Sequence, residues 1–178
     1  MPEYPLRTLI AACGRLETDS FQQLYLLVQP KVFAYVSYRT ITREQAIDVT
    51  QDILVELNQA LPKFVYHSDA EFFGFVFTIT RRALARHYEH KHTKASRRQS
   101  DVELDEITPA EPESELVLAV RQALEKLDTT ERDIIVLHHW SRYTFGEIGA
   151  MVHMTEGAVR TKHHRARTKL AHLLDVTS

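Results

Sequence analysis

Residues 145–170 read FGEIGAMVHMTEGAVRTKHHRARTKL, and their periodicity decides the fold of the chain's second half. Val159, His163, Ala166, Leu170 and Leu173 recur at steps of four, three, four and three, so they share one side of a helix. Arg160, Thr161, His164, Arg165 and Thr168 point elsewhere. Thr155 stands where an N-cap should, and a helix from Thr155 to Leu174 is a rod of about 30 Å, enough to lie across a major groove. A shorter helix from Thr144 to about Met151, with Ile148 and Met151 inward, braces it across the turn His153-Met154-Thr155. The pattern is that of two short helices joined by a tight turn. A plain αα-hairpin with a solvated basic face is the bland alternative. Against it stand the short turn, the small-residue opening Gly157-Ala158-Val159, and five basic residues (Arg160, Lys162, Arg165, Arg167, Lys169) facing one acid, Glu156. These point to a helix that reads duplex DNA.

Working outward, the chain has 178 residues, 44% apolar and 26% charged, a composition that folds. Five Gly and six Pro leave little material for tight turns, and no run alternates apolar and polar residues, so the expected fold is all-α. The single Cys13 permits no internal disulfide and suits a reducing compartment. The apolar stretch near the N-terminus is too short for a signal peptide, and no window approaches the length of a membrane span, so no membrane insertion and a cytoplasmic location are expected. A net charge of −2 is unusual for a protein that holds DNA by itself, because phosphate neutralisation supplies most non-specific affinity. A partner that helps to hold the DNA resolves the conflict.

Charge is segregated along the chain. Between Asp101 and Glu115 lie seven acids, no Lys or Arg, and Pro109 and Pro112, which reads as an acidic, flexible linker over residues 99–113. It divides two small helical domains, an N-terminal bundle over 1–98 and a C-terminal helix-turn-helix unit over 114–178. In the front unit, Phe21, Leu24, Tyr25 and Val28 have helical spacing, and Pro30 either kinks that helix or opens the next. From about Arg43 to Leu61, Ile47, Leu54, Leu57 and Leu61 line one side, while Glu44, Asp48, Gln51, Asp52 and Glu56 form an acidic stripe on another. Such a stripe is either solvated surface or a docking face for a basic partner.

The stretch LPKFVYHSDAE, 61–71, breaks the periodicity and gathers Phe64, Tyr66 and His67 beside Ser68 and Asp69. Rings next to short polar groups can stack on an extruded base and read its edge. Phe64 reads better as a core anchor, and Asp69 is a candidate cap for the next helix. That helix, roughly Ala70 to His92, offers Phe72, Phe75, Val76 and Ile79 for packing and Arg81, Arg82, Arg86 and Lys91 for phosphates.

Taken together, four segments resemble a small bacterial RNA polymerase sigma factor of the sigma-70 superfamily, extracytoplasmic-function (ECF) type. FQQLYLLVQPKVFAYV resembles the family's first helices with their internal proline, AIDVTQDILVELNQALPKF its polymerase-docking segment, and EFFGFVFTITRRALARHYEHK its promoter-melting helix. LEKLDTTERDIIVLHHW with YTFGEIGAMVHMTEGAVRTKHHRARTKL resembles its C-terminal domain. The resemblance covers nearly the whole chain. It implies an alternative sigma factor that binds core RNA polymerase, at the clamp of the largest subunit and the flap of the second, recognises the −10 and −35 elements of promoter DNA, and promotes melting.

Carried over by position, the resemblance implies core-polymerase contact by Asp48, Gln51, Asp52 and Glu56. It implies −10 contact by Tyr66, His67, Ser68 and Asp69, with Arg81, Arg82 and Arg86 on the adjacent strand. It implies −35 contact by Thr155, Arg160, Thr161, Lys162, His164 and Arg165, with Arg160 and Arg165 the leading candidates for direct contacts. It also implies an anti-sigma factor as partner. No catalysis, cofactor or metal is expected. A stand-alone helix-turn-helix regulator shares the C-terminal pattern but leaves the front half without a role. An enzyme built on some of the ten His fails because adjacent histidines on a helix point about 100° apart and no Cys or carboxylate beside them completes a ligand set. The chain departs from the family at Ile47, where an acid is usual, at Phe75 and Phe77, where Trp and Tyr are frequent, at His153, where Gly is usual in the turn, and at His163, where Leu is usual on the seam.

Overall fold

The computed structural model describes residues 6–14, 18–40, 42–97 and 115–175, so the acidic linker 99–113 lies outside the described residues. The described residues form helices α1 (Leu6–Gly14), α2 (Thr18–Arg39), α3 (Arg43–Ala60), α4 (Asp69–Arg97), α5 (Glu115–Glu125), α6 (Thr129–His139), α7 (Phe145–Val152) and α8 (Glu156–Asp175), with no strand among them. The all-α expectation holds. Pro30 neither ends α2 nor opens a new helix: α2 runs through it, although an interior proline costs about 3 kcal/mol in an isolated helix. Packing offsets that cost, since Leu24, Val28, Val32, Tyr35 and Val36 on the same helix are all buried.

Local chemistry sets most helix starts. Thr42 caps α3 by accepting the Gln45 N–H at 3.2 Å, and Ser68 Oγ accepts the Glu71 N–H at 3.2 Å at the start of α4. The cap of α4 is therefore Ser68, and Asp69, the sequence candidate, is the helix's first residue. Asp128 and Glu131 form a reciprocal capping box on α6, and Thr144 and Glu147 form another on α7. Each box satisfies two N–H groups that the first helical turn leaves without intrahelical partners.

The front and back units share one apolar core. Phe72, Val76 and Ile53 from the front and Ile134, Ile148 and Val159 from the back belong to a single buried cluster, and α7 lies along α4. A β-carbon at Gly74 would lie 3.6 Å from Ala150 Cβ, so the glycine lets the two helix backbones approach. Across the same seam the Tyr35 hydroxyl donates to Asp133 at 2.8 Å, both buried, with the Arg39 guanidinium 3.8 Å from the same oxygen. Burial raises the Asp133 carboxyl above the usual range, opposed by the Tyr35 hydrogen bond and by Arg39. Lys31 Nζ donates to the carbonyls of Ser141 at 3.3 Å and Arg142 at 3.0 Å and lies 4.3 Å from the Tyr143 ring centroid. Tyr143 meets Phe73 edge-on at 5.1 Å. Each unit thus covers an apolar face of the other.

Candidate nucleic-acid interface

The back-unit site is built by a turn that brings α8 across α7. His153 ends α7 in the left-handed conformation, φ 57° and ψ 45°, and the Met154 N–H returns to the Gly149 carbonyl at 2.9 Å. A β-carbon at Gly149 would lie 2.6 Å from the Met154 carbonyl oxygen, so the turn closes only over a glycine. Thr155 Oγ1 accepts the Ala158 N–H at 3.3 Å and starts α8 as the sequence indicates. Val159, His163 and Ala166 are buried and Leu170 and Leu173 half-buried, which is the seam read from their spacing. Gly157, Thr161, His164, Arg165 and Thr168 are left exposed on the other side.

The basic residues of α8 divide by what they touch. Lys162 donates to Asp128 at 3.1 Å and Lys169 to Glu131 at 2.6 Å, so both lysines reach back to the capping box of α6. The Glu131 N–H, and then the Lys162 ammonium, hold the Asp128 carboxyl below the usual range. Arg160 pairs with Glu156 one turn earlier at 2.7 Å and lies 4.9 Å from the Phe145 ring centroid. Arg165 and Arg167 are exposed and form no ion pair among the described residues. Position on the wheel alone did not reveal that two of the five basic side chains bind α8 to its own scaffold.

In the front unit, Asp48, Gln51 and Asp52 are exposed on α3, whereas Glu56 pairs with Arg86 of α4 at 2.5 Å. Candidate polymerase-docking and −10-contacting residues thus meet in one ion pair. In the 64–68 loop the Tyr66 hydroxyl donates to Asp69 Oδ1 at 2.5 Å, while His67 and Ser68 are exposed beside it. Phe64 stacks on Phe75 at 4.7 Å and meets Phe72 edge-on at 5.7 Å, as a core anchor does. Phe77 is buried against Tyr35 at 5.3 Å. Arg81 and Arg82 are exposed on α4.

Two family models match in the same order as these units: Sigma-70 region 2 over residues 24–93, and Sigma-70, region 4 over residues 118–170. The chain belongs to the sigma-70 family. It is 26% identical over 168 residues to the ECF RNA polymerase sigma factor BldN of Streptomyces coelicolor, an overlap of 89% of this chain and 61% of BldN. The solved structure of CnrH in complex with the cytosolic domain of CnrY superposes with a TM-score of 0.70 at 24% identity, covering 97% of this chain and 98% of CnrH. The sigma factor RpoE of Bartonella quintana, solved with the anti-sigma factor NepR, superposes with a TM-score of 0.61 at 25% identity, covering 90% of this chain and all of RpoE. Among the described residues of this sigma-70 family member, no helix is long and apolar enough to cross a membrane. No three of the described His, Cys, Asp or Glu residues could hold a metal ion.

Two departures from the family pattern acquire a physical setting. His153 occupies the left-handed turn position itself, and Arg142, φ 60°, occupies another before α7 that no glycine marks in the sequence. His163, 8% exposed, shares a 2.9 Å Nε2···Nε2 hydrogen bond with His139 of α6, which requires one ring to donate and the other to accept. Burial first, and then the neighbouring His138, His139, Arg167 and His164, push the His163 imidazole down to about 4. Unfolding restores its ordinary value near 6.5, so the unfolded chain binds this proton more readily. The stabilisation is present above pH 6.5 and is lost as pH falls toward 4. Thermal unfolding followed from pH 7 to 5 is therefore expected to show a falling midpoint, and His163→Leu should flatten that fall. Parallel curves for the two proteins would refute the role of the histidine pair.

Proposed function

We propose that this chain is an alternative sigma factor acting in the cytoplasm, which binds core RNA polymerase, recognises a −35 and a −10 element and promotes DNA melting for transcription initiation. The observation that carries this reading is the union in one chain of a helix-turn-helix unit with an open outer face on α8 and a bundle bearing an acidic stripe on α3 beside a polar aromatic loop. Asp48, Gln51 and Asp52 dock on a basic polymerase surface, with Glu56 at the edge of the stripe. Tyr66, His67, Ser68 and Asp69 receive an extruded base of the −10 element, and Arg81, Arg82 and Arg86 hold the phosphates next to it. Thr155, Arg160, Thr161, Lys162, His164 and Arg165 meet the −35 duplex, with Arg165 free for direct contact and Lys162 holding α8 in place.

An anti-sigma factor, such as the NepR bound to RpoE, would compete for these same surfaces. Chemistry belongs to the polymerase, and this chain supplies only binding. Transcription by core polymerase from a genomic promoter library, with and without the chain, tests the reading. New start sites are expected only with it. Asp48→Arg should abolish core binding, whereas Arg165→Ala should keep core binding and lose dependence on the upstream element. Specific DNA binding by the chain alone, with no effect on polymerase, would instead support a stand-alone regulator.

A further inference from the structure

The first two turns of α8 carry a shallow hollow that is open to solvent. Met154 from the turn, then Gly157, Ala158, Thr161, Lys162 and Arg165 from the helix, line it, and its surface is predominantly apolar. The hollow is open at Gly157, where a β-carbon would meet nothing within 4 Å, so a ligand group can approach the helix backbone there. Helix geometry does not demand this glycine, since glycine inside a helix is less favourable than alanine by up to about 1 kcal/mol. Thr161 spends its hydroxyl on the Gly157 carbonyl at 3.0 Å, which leaves its methyl as the group it can offer a ligand. Lys162 is tied to Asp128 at 3.1 Å, so its stem is held as a wall. Arg165 stands at the far rim with no ion pair among the described residues.

Building on the proposal that α8 reads the upstream promoter element, we infer that this hollow is a base-specific subsite that accepts the C5-methyl group of one thymine. The chemistry follows from the groups present. In the major groove thymine alone presents a methyl, and it is read by apolar contact with small aliphatic groups such as Ala and the Thr methyl. Residues at the N-terminal end of a recognition helix are those that reach base edges. An apolar depression lined by glycine, alanine, a threonine methyl and a methionine fits a methyl and offers nothing to the amino group of cytosine. Arg165 at the rim anchors the helix to the duplex while the hollow selects the base.

The test uses the chain in complex with core polymerase on a promoter found by the library experiment, with each thymine of the upstream element replaced in turn by uracil, which lacks only the methyl. One position should lose about fourfold in binding, the worth of one buried methyl. Gly157→Ala, which puts a β-carbon where the base methyl is proposed to sit, and Thr161→Ser, which keeps the hydroxyl but removes the methyl, should each bring the thymine-to-uracil ratio at that position close to one. Thermal unfolding checks that both variants fold. An upstream element without thymine, a scan with no sensitive position, or a ratio unchanged in both variants would overturn the inference. Arg165→Ala separates the two failures. If it weakens promoter binding while uracil is silent, only the methyl subsite is wrong; if neither matters, the assignment of α8 to the upstream element is wrong as well.

Discussion

Oxidation of a Gly74→Cys/Ala150→Cys variant, in a Cys13→Ser background, is expected to abolish transcription from a two-element promoter, and reductant should restore it. A β-carbon at Gly74 lies 3.6 Å from Ala150 Cβ, within the range of about 3.5–4.5 Å that disulfides span. The Cβ separation is therefore compatible with a disulfide across the α4–α7 seam. Its effect follows from size. A compact chain of 178 residues has a radius of gyration of about 16 Å and is about 40 Å across. Elements centred about 25 base pairs apart lie about 85 Å from one another on the duplex. A closed body cannot meet both, so the function proposed for this chain requires α7 to leave α4, and the Tyr35–Asp133 hydrogen bond and the Lys31 contacts to break. Multi-round transcription with the oxidised variant should fall at least a hundredfold. Equal activity in the oxidised and reduced states, with the disulfide confirmed by mass spectrometry, would show that the closed arrangement suffices.

This closed seam is also where sequence reading stops. The α8 seam was legible because its periodicity is local: each apolar residue lies three or four positions from the next, and burial of Val159, His163 and Ala166 follows. The Thr155 cap was legible for the same reason, being a contact across three residues. Tyr35 and Asp133 are 98 positions apart, and nothing local marks either as half of a buried pair. Helix α1 is less legible because LRTLIAACG is only nine residues long: Leu6, Leu9, Ile10 and Cys13 have helical spacing, but so short a run is marginal on its own and is held by packing on α2. In the candidate site the signs of the charges could be read but not their partners. Lys162 and Lys169 look like phosphate ligands on a helical wheel, yet their acids come from α6, which the wheel does not contain. Phe75, by contrast, was legible as a packing residue of α4 from its spacing, and it stacks on Phe64.

Two single-residue changes in the α7–α8 turn are expected to act in opposite directions, and their contrast tests whether this turn sets the recognition geometry. Gly149→Ala drives a β-carbon to 2.6 Å from the Met154 carbonyl oxygen, a backbone atom that cannot rotate away. Relief requires Met154 to move and the Met154 N–H to Gly149 carbonyl bond to lengthen, at a cost of about 3 kcal/mol, the upper end for overpacking. That is a large share of a total stability of about 5–15 kcal/mol. Whatever fold survives presents α8 at a changed angle, so upstream-element dependence should be lost even where the protein remains folded. His153→Gly removes the steric cost of a side chain at φ 57°, about 1–2 kcal/mol, and incurs part of that again as glycine's greater chain entropy. The net gain is about 0.5–1 kcal/mol, or a rise of about 1–4 °C in melting temperature for a chain of this size. Promoter dependence should be unchanged, because the backbone conformation is the same. Urea unfolding of the two variants beside the parent reads both effects directly. A neutral Gly149→Ala would mean that the turn relaxes without penalty and that α8 owes its placement to the lysine ties to Asp128 and Glu131 instead.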